Sequence, residues 1–307
     1  MQGLSNDDRE EAPGAGAGTD PTQAAVWVSG LSLSYQRSRL GGLLGRGRFE
    51  VLHDLSFDAQ RGEIVGVVGP NGSGKSSLFR SLLGLEAARG DVRLLGLRPG
   101  ARELRKRIGS SSDEGLPFPE FTALELLTLD GSLSGQPLHS AKAKAEAMLE
   151  RVGLTDARRR RHGEFSSGMQ KRLALAHALL LEPEILLLDE PTANLDPIGI
   201  RLVAEELGKF QEQGGCALVA THGLEDFPGL FSRLLVLLEG RRIAFGSPEQ
   251  VLGELDRFEL RLESNDRELL ASLAQKASQQ GITGQKLGPL QRSLGKMLAE
   301  AQERAAP

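Results

Sequence analysis

The sequence predicts an α/β protein built on a mainly parallel sheet, and three observations carry that expectation. Short, continuous apolar runs stand at 64–68, 185–188 and 217–220, the form taken by strands buried on both faces. Stretches long enough for a helix separate them, so strand and helix alternate and the strands are joined by right-handed crossovers. Each run also ends in residues able to do chemistry: Gly69-Pro70, Asp189-Glu190 and Thr221-His222.

Taken in order, residues 1–24 read as a disordered tail, acidic at first and then rich in Gly and Ala. Val26, Val28, Leu31, Leu33 and Tyr35 alternate like a strand, with a slip at Ser29-Gly30. The segment 37–48 is a Gly/Leu loop with Arg37, Arg39, Arg46 and Arg48, either solvated or facing lipid headgroups. Residues 51–57 form a second strand, and the β-branched run 64–68, broken by Gly66, a third. A helix is expected from Gly74-Lys75 to about residue 83, then a strand over 92–97. Ser140 can cap a helix to residue 149, with Lys142, Lys144, Glu146 and Glu150 on its polar side. The run Arg158 to Arg161 with His162 reads as a solvated basic loop. Ser166 opens a helix to about 181, and another is expected over 198–211. The segments 234–238 and 242–245, joined at Glu239-Gly240, read as a hairpin. Beyond 253 the texture changes. Phe258, Leu260 and Leu262 alternate, whereas Leu269, Leu270, Leu273 and Ala277, then Leu290, Leu294 and Leu298, recur at helical spacing. Residues 25–253 are therefore expected to be one domain and 254–307 a small α/β or helical extension.

Composition narrows the function classes. With 37 Lys+Arg against 41 Asp+Glu, the net charge of -4 argues against a dedicated nucleic-acid binder. No apolar run reaches about 18 residues, so no transmembrane helix is expected, and the N-terminus has no apolar core of a secretory signal. Cys216 is the single cysteine, which excludes an intrachain disulfide and fits a reducing cytosol. The chain is expected to be soluble, yet free to dock on a membrane protein.

The run Gly69, Pro70, Asn71, Gly72, Ser73, Gly74, Lys75, Ser76 follows a buried strand and opens a helix. This is the phosphate-binding loop G-x-x-x-x-G-K-[ST] in the context it requires. Its glycines allow a tight turn of inward-pointing N–H groups, and the helix N-terminus adds positive potential, so polyphosphate is favoured there. Lys75 can reach the β- and γ-phosphates, the Ser76 hydroxyl can ligate Mg²⁺, and Ser77 continues the binding segment. The second buried strand ends in Asp189, placed to hold Mg²⁺, and Glu190, placed to polarise an attacking water.

Between these two motifs lies Phe165-Ser166-Ser167-Gly168-Met169-Gln170-Lys171-Arg172-Leu173. With this segment residues 25–253 resemble the nucleotide-binding subunit of an ATP-binding cassette (ABC) transporter, whose signature has a variant Y-S-G-G-M-x-x-R. Ser166, Gly168, Met169 and Arg172 match it, and Ser167 replaces its first glycine. The resemblance implies a P-loop NTPase core with a mainly parallel sheet, an N-terminal antiparallel β subdomain, a helical signature subdomain at about 110–182 and a small C-terminal extension of the export type. It implies that Ser166, Ser167, Gly168 and Met169 contact ATP held by a second subunit, and that Ala193-Asn194-Leu195-Asp196 is the loop that crosses the dimer seam. It places the switch histidine at His222. Tyr35, which is otherwise a core aromatic, takes the position of the aromatic that stacks on adenine. Where the family has glutamine near the Mg²⁺ site, this chain has Asp113, an acid able to contact Mg²⁺ or its water but lacking the amide donor.

The expected protein is an ATPase that hydrolyses ATP-Mg between two cassettes, itself paired with a copy or a homologue. It drives a separate transmembrane permease, with export favoured over import, and sits in the cytoplasm on the inner face of the cell membrane. Two other readings stand beside it: a soluble cassette acting on ribosomes or DNA, and a cassette that binds ATP only to regulate.

Overall fold

The computed structural model describes residues 23–36, 48–112 and 115–252. The expected tail, the arginines Arg37, Arg39 and Arg46, Asp113 and the extension at 254–307 lie outside the described residues.

Two sheets share the work. The first contains β1 (Val26–Gln36), β2 (Arg48–Ala59) and β4 (Arg89–Leu94), antiparallel, in the order β2-β1-β4. The second contains β3 (Ile64–Val68), β5 (Ile108–Ser111), β6 (Ile185–Asp189), β7 (Cys216–Thr221), β8 (Arg233–Leu238) and β9 (Arg241–Gly246), in the order β5-β6-β7-β3-β8-β9. All its pairings are parallel except the β8–β9 hairpin. Six α-helices complete the described fold: α1 (Lys75–Leu82), α2 (Ala123–Leu133), α3 (Leu138–Arg151), α4 (Ser167–Leu179), α5 (Pro197–Glu212) and α6 (Pro248–Leu252).

The continuous apolar runs have a simple cause. Successive side chains of a strand point to opposite faces, and here both faces are covered. Ile64 and Val68 of β3 enter a core shared with α2–α5, whereas Val65 and Val67 enter a core shared with the antiparallel sheet and α1. The central strands β6 and β7 divide in the same way: Leu186, Leu188, Ala217 and Val219 face one core and Ile185, Leu187, Leu218 and Ala220 the other. Short of their last residues, β3, β6 and β7 carry no polar side chain other than Cys216.

The slip at Ser29-Gly30 is a bulge: the β1–β2 register shifts between Val28 and Leu31, and Gly30 has φ +65°. Other expectations are corrected. The strand expected at 92–97 ends at Leu94, because Leu95 (φ +51°) and Gly96 (φ +79°) turn the chain and Leu94 N–H donates to Leu97 O. Ser140 does not cap α3, which begins two residues earlier behind Pro137. Neither β5 nor α2 was expected as an element. β5 is four residues long, contains Gly and two Ser, and pairs with β6 alone. The cap of α2 was readable: Thr122 Oγ1 accepts from Glu125 N–H at 3.2 Å, and Glu125 Oε2 accepts from Thr122 N–H at 2.8 Å. His162 is not part of a solvated run. It is 1% exposed, while the backbone carbonyls of Arg158 and Arg160 accept from Leu124 and Ala123 in the first turn of α2.

Ion pairs fasten the elements to one another. Arg151 at the end of α3 pairs with buried Glu206 of α5, which also accepts from Lys209 at 2.8 Å. Glu184, just before β6, binds Arg107 at the start of β5 and accepts from Arg61 Nη2 at 2.7 Å. The Arg107 hydrogen bond, helped by Arg61 and opposed by partial burial, lowers the Glu184 carboxyl to about 2. A depressed acid contributes stability above its unfolded pKa and loses it as pH falls through the folded one. Glu184→Gln is therefore expected to lower the melting temperature at pH 7, with the gap closing as pH falls from about 4.5 toward 2. Melting curves across that range check it; a pH-independent gap would refute the pairing.

Candidate active site

The ends of β3, β6 and β7 lie on one edge of the parallel sheet, the edge where such folds bind ligands. The chain leaves β3 at Gly69, where a Cβ would stand 2.2 Å from Leu237 O, so only glycine passes under β8. It then turns through Gly72 (φ +81°) and Gly74 (φ +104°) into α1, both outside the range most side chains tolerate. Ser73 N–H donates to Pro70 O at 3.1 Å and Ser73 O accepts from Gly240 N–H at 3.0 Å, which holds the loop from both sides. Lys75, 7% exposed, curls back over the loop and donates to Gly69 O at 2.8 Å and Pro70 O at 3.3 Å. Burial lowers its pKa, while the carboxylates of Glu190 and Asp189 oppose that shift. A buried ammonium facing an open loop is matched to an anionic ligand.

Ser76 Oγ donates to Asp189 Oδ2 at 2.6 Å, across the sheet from α1 to the end of β6. A hydroxyl and a carboxylate oxygen together suit a hard divalent cation such as Mg²⁺. The Ser73 hydroxyl is buried with no partner, and a Cβ at Gly72 would meet nothing within 4 Å, so the cradle offers a further polar group and open space to a phosphate. The residues fit ATP with Mg²⁺. Among the described residues no group of three His, Cys, Asp or Glu could hold a metal alone, so a cation here would take further oxygens from phosphate and water.

One residue beyond Asp189, Glu190 adopts φ +49° and donates its N–H to Ala220 O at 2.9 Å. That left-handed turn swings its carboxylate away from the sheet, where Oε2 meets His222 Nδ1 at 2.8 Å. A non-glycine residue held there marks a position whose surroundings over-determine the backbone.

Two groups of expected site residues stand apart from this cluster. Ser166 caps α4, its Oγ accepting from Met169 N–H at 3.3 Å, and Ser166 and Ser167 are exposed. Among the described residues no hydrogen bond joins 166–169 to 69–77. The helix start lies instead on the 193–196 loop, since a Cβ at Gly168 would be 3.4 Å from Leu195 Cδ2. Asp196 caps α5, its Oδ1 accepting from Gly199 N–H at 2.7 Å. Tyr35 donates its hydroxyl to Glu86 Oε1 at 2.9 Å and tilts against Phe49 with centroids 5.9 Å apart. Sequence reading missed Phe49, which lies directly opposite Tyr35 on β2 and is 47% exposed. Its signal was an aromatic at the far end of the long loop after Tyr35. Ser77 is buried in the first turn of α1.

The family model described as ABC transporter matches residues 52–193. The Nod factor export ATP-binding protein I of Burkholderia lata is 38% identical over 205 residues, which span 66% of this chain and 67% of that protein. The chain belongs to the ABC transporter ATP-binding family. An uncharacterized ABC transporter ATP-binding protein of Synechocystis sp. is 34% identical over 236 residues, 76% of this chain and 67% of its own. Among solved structures, cbiO1 from Clostridium perfringens, described as part of the ABC transporter complex cbiONQ, superposes with a TM-score of 0.61 at 25% identity, covering 84% of this chain and 98% of that one. The ABC protein is thus an ATP-binding transporter subunit and an ABC-type ATPase. Among its described residues no helix is long and apolar enough to cross a membrane.

Gly74→Ala tests the cradle. At φ +104° the new Cβ would stand 2.7 Å from Leu52 Cδ2, and the strain should cost about 1–3 kcal/mol. ATP binding, followed by fluorescence of a nucleotide analogue, is expected to weaken; unchanged affinity would show that the loop is not the phosphate cradle.

Proposed function

We propose that two copies of this chain, or one copy and a homologue, close around ATP-Mg and hydrolyse it to drive export through a separate membrane permease. The observation that carries this reading is the Glu190–His222 contact at 2.8 Å, one residue beyond the Asp189 carboxylate that accepts from Ser76 at 2.6 Å. The phosphate end of the nucleotide would lie in the 69–74 loop, its charge met by Lys75 and by the N-terminal end of α1. Ser76 and Asp189 would hold Mg²⁺, which when bound neutralises charge on the phosphate oxygens.

The reaction is attack of a water oxygen on the γ-phosphorus, in line with the departing ADP oxygen. Glu190 orients that water and accepts its proton as the new P–O bond forms and the bridging P–O bond breaks. His222 positions the Glu190 carboxylate through Nδ1 and senses the γ-phosphate. Lys75 stabilises charge that moves onto the leaving oxygens. Ser166 to Met169 and the 193–196 loop would serve the partner's nucleotide: a capped helix start with exposed N–H groups is an anion site left open on the surface. Asp113 would add a contact to Mg²⁺ or its water, and Tyr35, with Phe49 beside it, would stack on adenine.

Export is supported by the relatives named for Nod factor export, and a permease partner by the transporter complex of cbiO1. Such a subunit would work in the cytoplasm at the inner face of the cell membrane.

Glu190→Gln is expected to lower turnover at least about 100-fold while keeping ATP affinity and trapping an ATP-dependent dimer, read by phosphate release and by light scattering. Turnover at the wild-type rate would remove Glu190 from the reaction. Lys75→Ala should weaken ATP binding about tenfold or more; tight binding by that variant would take the lysine out of the site.

A further inference from the structure

The proposed chemistry makes no use of His162, although it is the most deeply buried histidine described, 1% exposed. It sits in a 3-10 turn (His162–Glu164) four residues before the α4 cap Ser166. Its ring reaches away from α4 to a corner formed by Pro117, Phe118 and Pro119. Nε2 donates to Pro117 O at 3.1 Å and to Phe118 O at 2.8 Å. Both partners are carbonyls, so the proton must be on Nε2.

Among the described residues, one backbone hydrogen bond closes that corner from within, Phe121 N–H to Phe118 O at 2.9 Å. Its two prolines carry no N–H, and Phe118 between them is held at φ +59°, a left-handed conformation that a bulky side chain rarely adopts. The other hydrogen bonds to its carbonyls come from the segment 162–163. Besides the two ring contacts, Gly163 N–H donates to Pro119 O at 2.9 Å and His162 N–H donates to Phe121 O at 2.9 Å. The approach is tight, since a Cβ at Gly163 would lie 2.8 Å from Pro119 O. On the other side His162 O accepts from Gln170 Nε2, a residue of the first turns of α4, and from Phe165 N–H at 3.1 Å. Phe118 itself is 50% exposed and stacks on Phe121 with centroids 5.4 Å apart.

We infer that His162 is a positioning residue that locks this exposed corner to the N-terminal end of α4, and so sets the angle at which Ser166 and its neighbours meet a partner's nucleotide. The inference rests on the two-subunit ATPase reading above. The ring is the strut: it spans from the turn before α4 to a strained backbone that would otherwise relax. A signature helix mis-set by loss of the strut would still leave its own phosphate loop intact, because 69–77 and 166–169 share no hydrogen bond among the described residues.

The test compares full-length His162→Leu and His162→Gln with the wild-type chain. Leucine fills the space without a donor, and glutamine places an amide N–H near the position of Nε2. Three quantities are measured: affinity for a fluorescent ATP analogue at subunit concentrations too low for pairing, ATP-dependent self-association, and phosphate release at saturating ATP. His162→Leu is expected to keep analogue affinity within about twofold while turnover and self-association fall about tenfold, and His162→Gln to recover most of both. Wild-type turnover in the leucine variant overturns the inference. So does a parallel loss of analogue affinity and turnover in both variants, which marks a merely structural histidine. A wild-type chain that binds ATP but releases no phosphate sinks the hydrolytic reading instead, and self-association then decides His162 alone.

Discussion

The 2.6 Å hydrogen bond between Ser76 and Asp189 is the contact around which this protein is organised. It joins the first turn of α1, which follows β3, to the end of β6, although β7 lies between those two strands. A phosphate loop alone makes a nucleotide site, and an acidic strand end alone makes a solvated turn. Brought together at one sheet edge, they make a place where a cation and a phosphate can be held at once. The parallel register sets this up. Val68 pairs with Thr221, and Asp189 pairs with Ala220, so three strands deliver Gly69, Glu190 and His222 within one residue of the same level.

Holding that register requires both faces of the sheet to be covered. On one side the antiparallel sheet and α1 bury Val65, Val67, Leu187 and Leu218; on the other α2–α5 bury Val68, Leu188 and Val219. A one-residue slip would exchange every side chain between two cores of different shape, so register is strongly specified. The same constraint isolates Cys216: burial pushes its thiol up to about 12, which leaves it an inert packing residue.

The start of α4 belongs to a different mechanical unit. It rests on the 193–196 loop and on the turn holding His162, not on the phosphate loop of its own chain. In the two-subunit reading proposed above, this exposed, capped helix end would serve the nucleotide of the partner cassette. The pairing of Arg151 with Glu206 ties the neighbouring helix α3 to α5.

Much of this is legible in the sequence. Residues 69–76, Asp189-Glu190 and the bounds of β3 come from local patterns: glycines that permit a turn, and apolar runs too continuous for a half-exposed strand. Ser166 was readable as a cap because its hydroxyl serves an N–H three residues on, within its own segment. What was missed depended on distant partners. β5 is a strand only because β6 offers it an edge, Tyr35 is tied down by Glu86 from 51 residues away, and His162 turns inward from an otherwise mostly exposed arginine run to the carbonyls of Pro117 and Phe118. Local sequence thus specifies turns, caps and strand faces, since those energies involve neighbours along the chain. Which charged or polar group is buried, and what it holds, depends on hydrogen bonds closed between remote segments, and these exist only once the chain has folded.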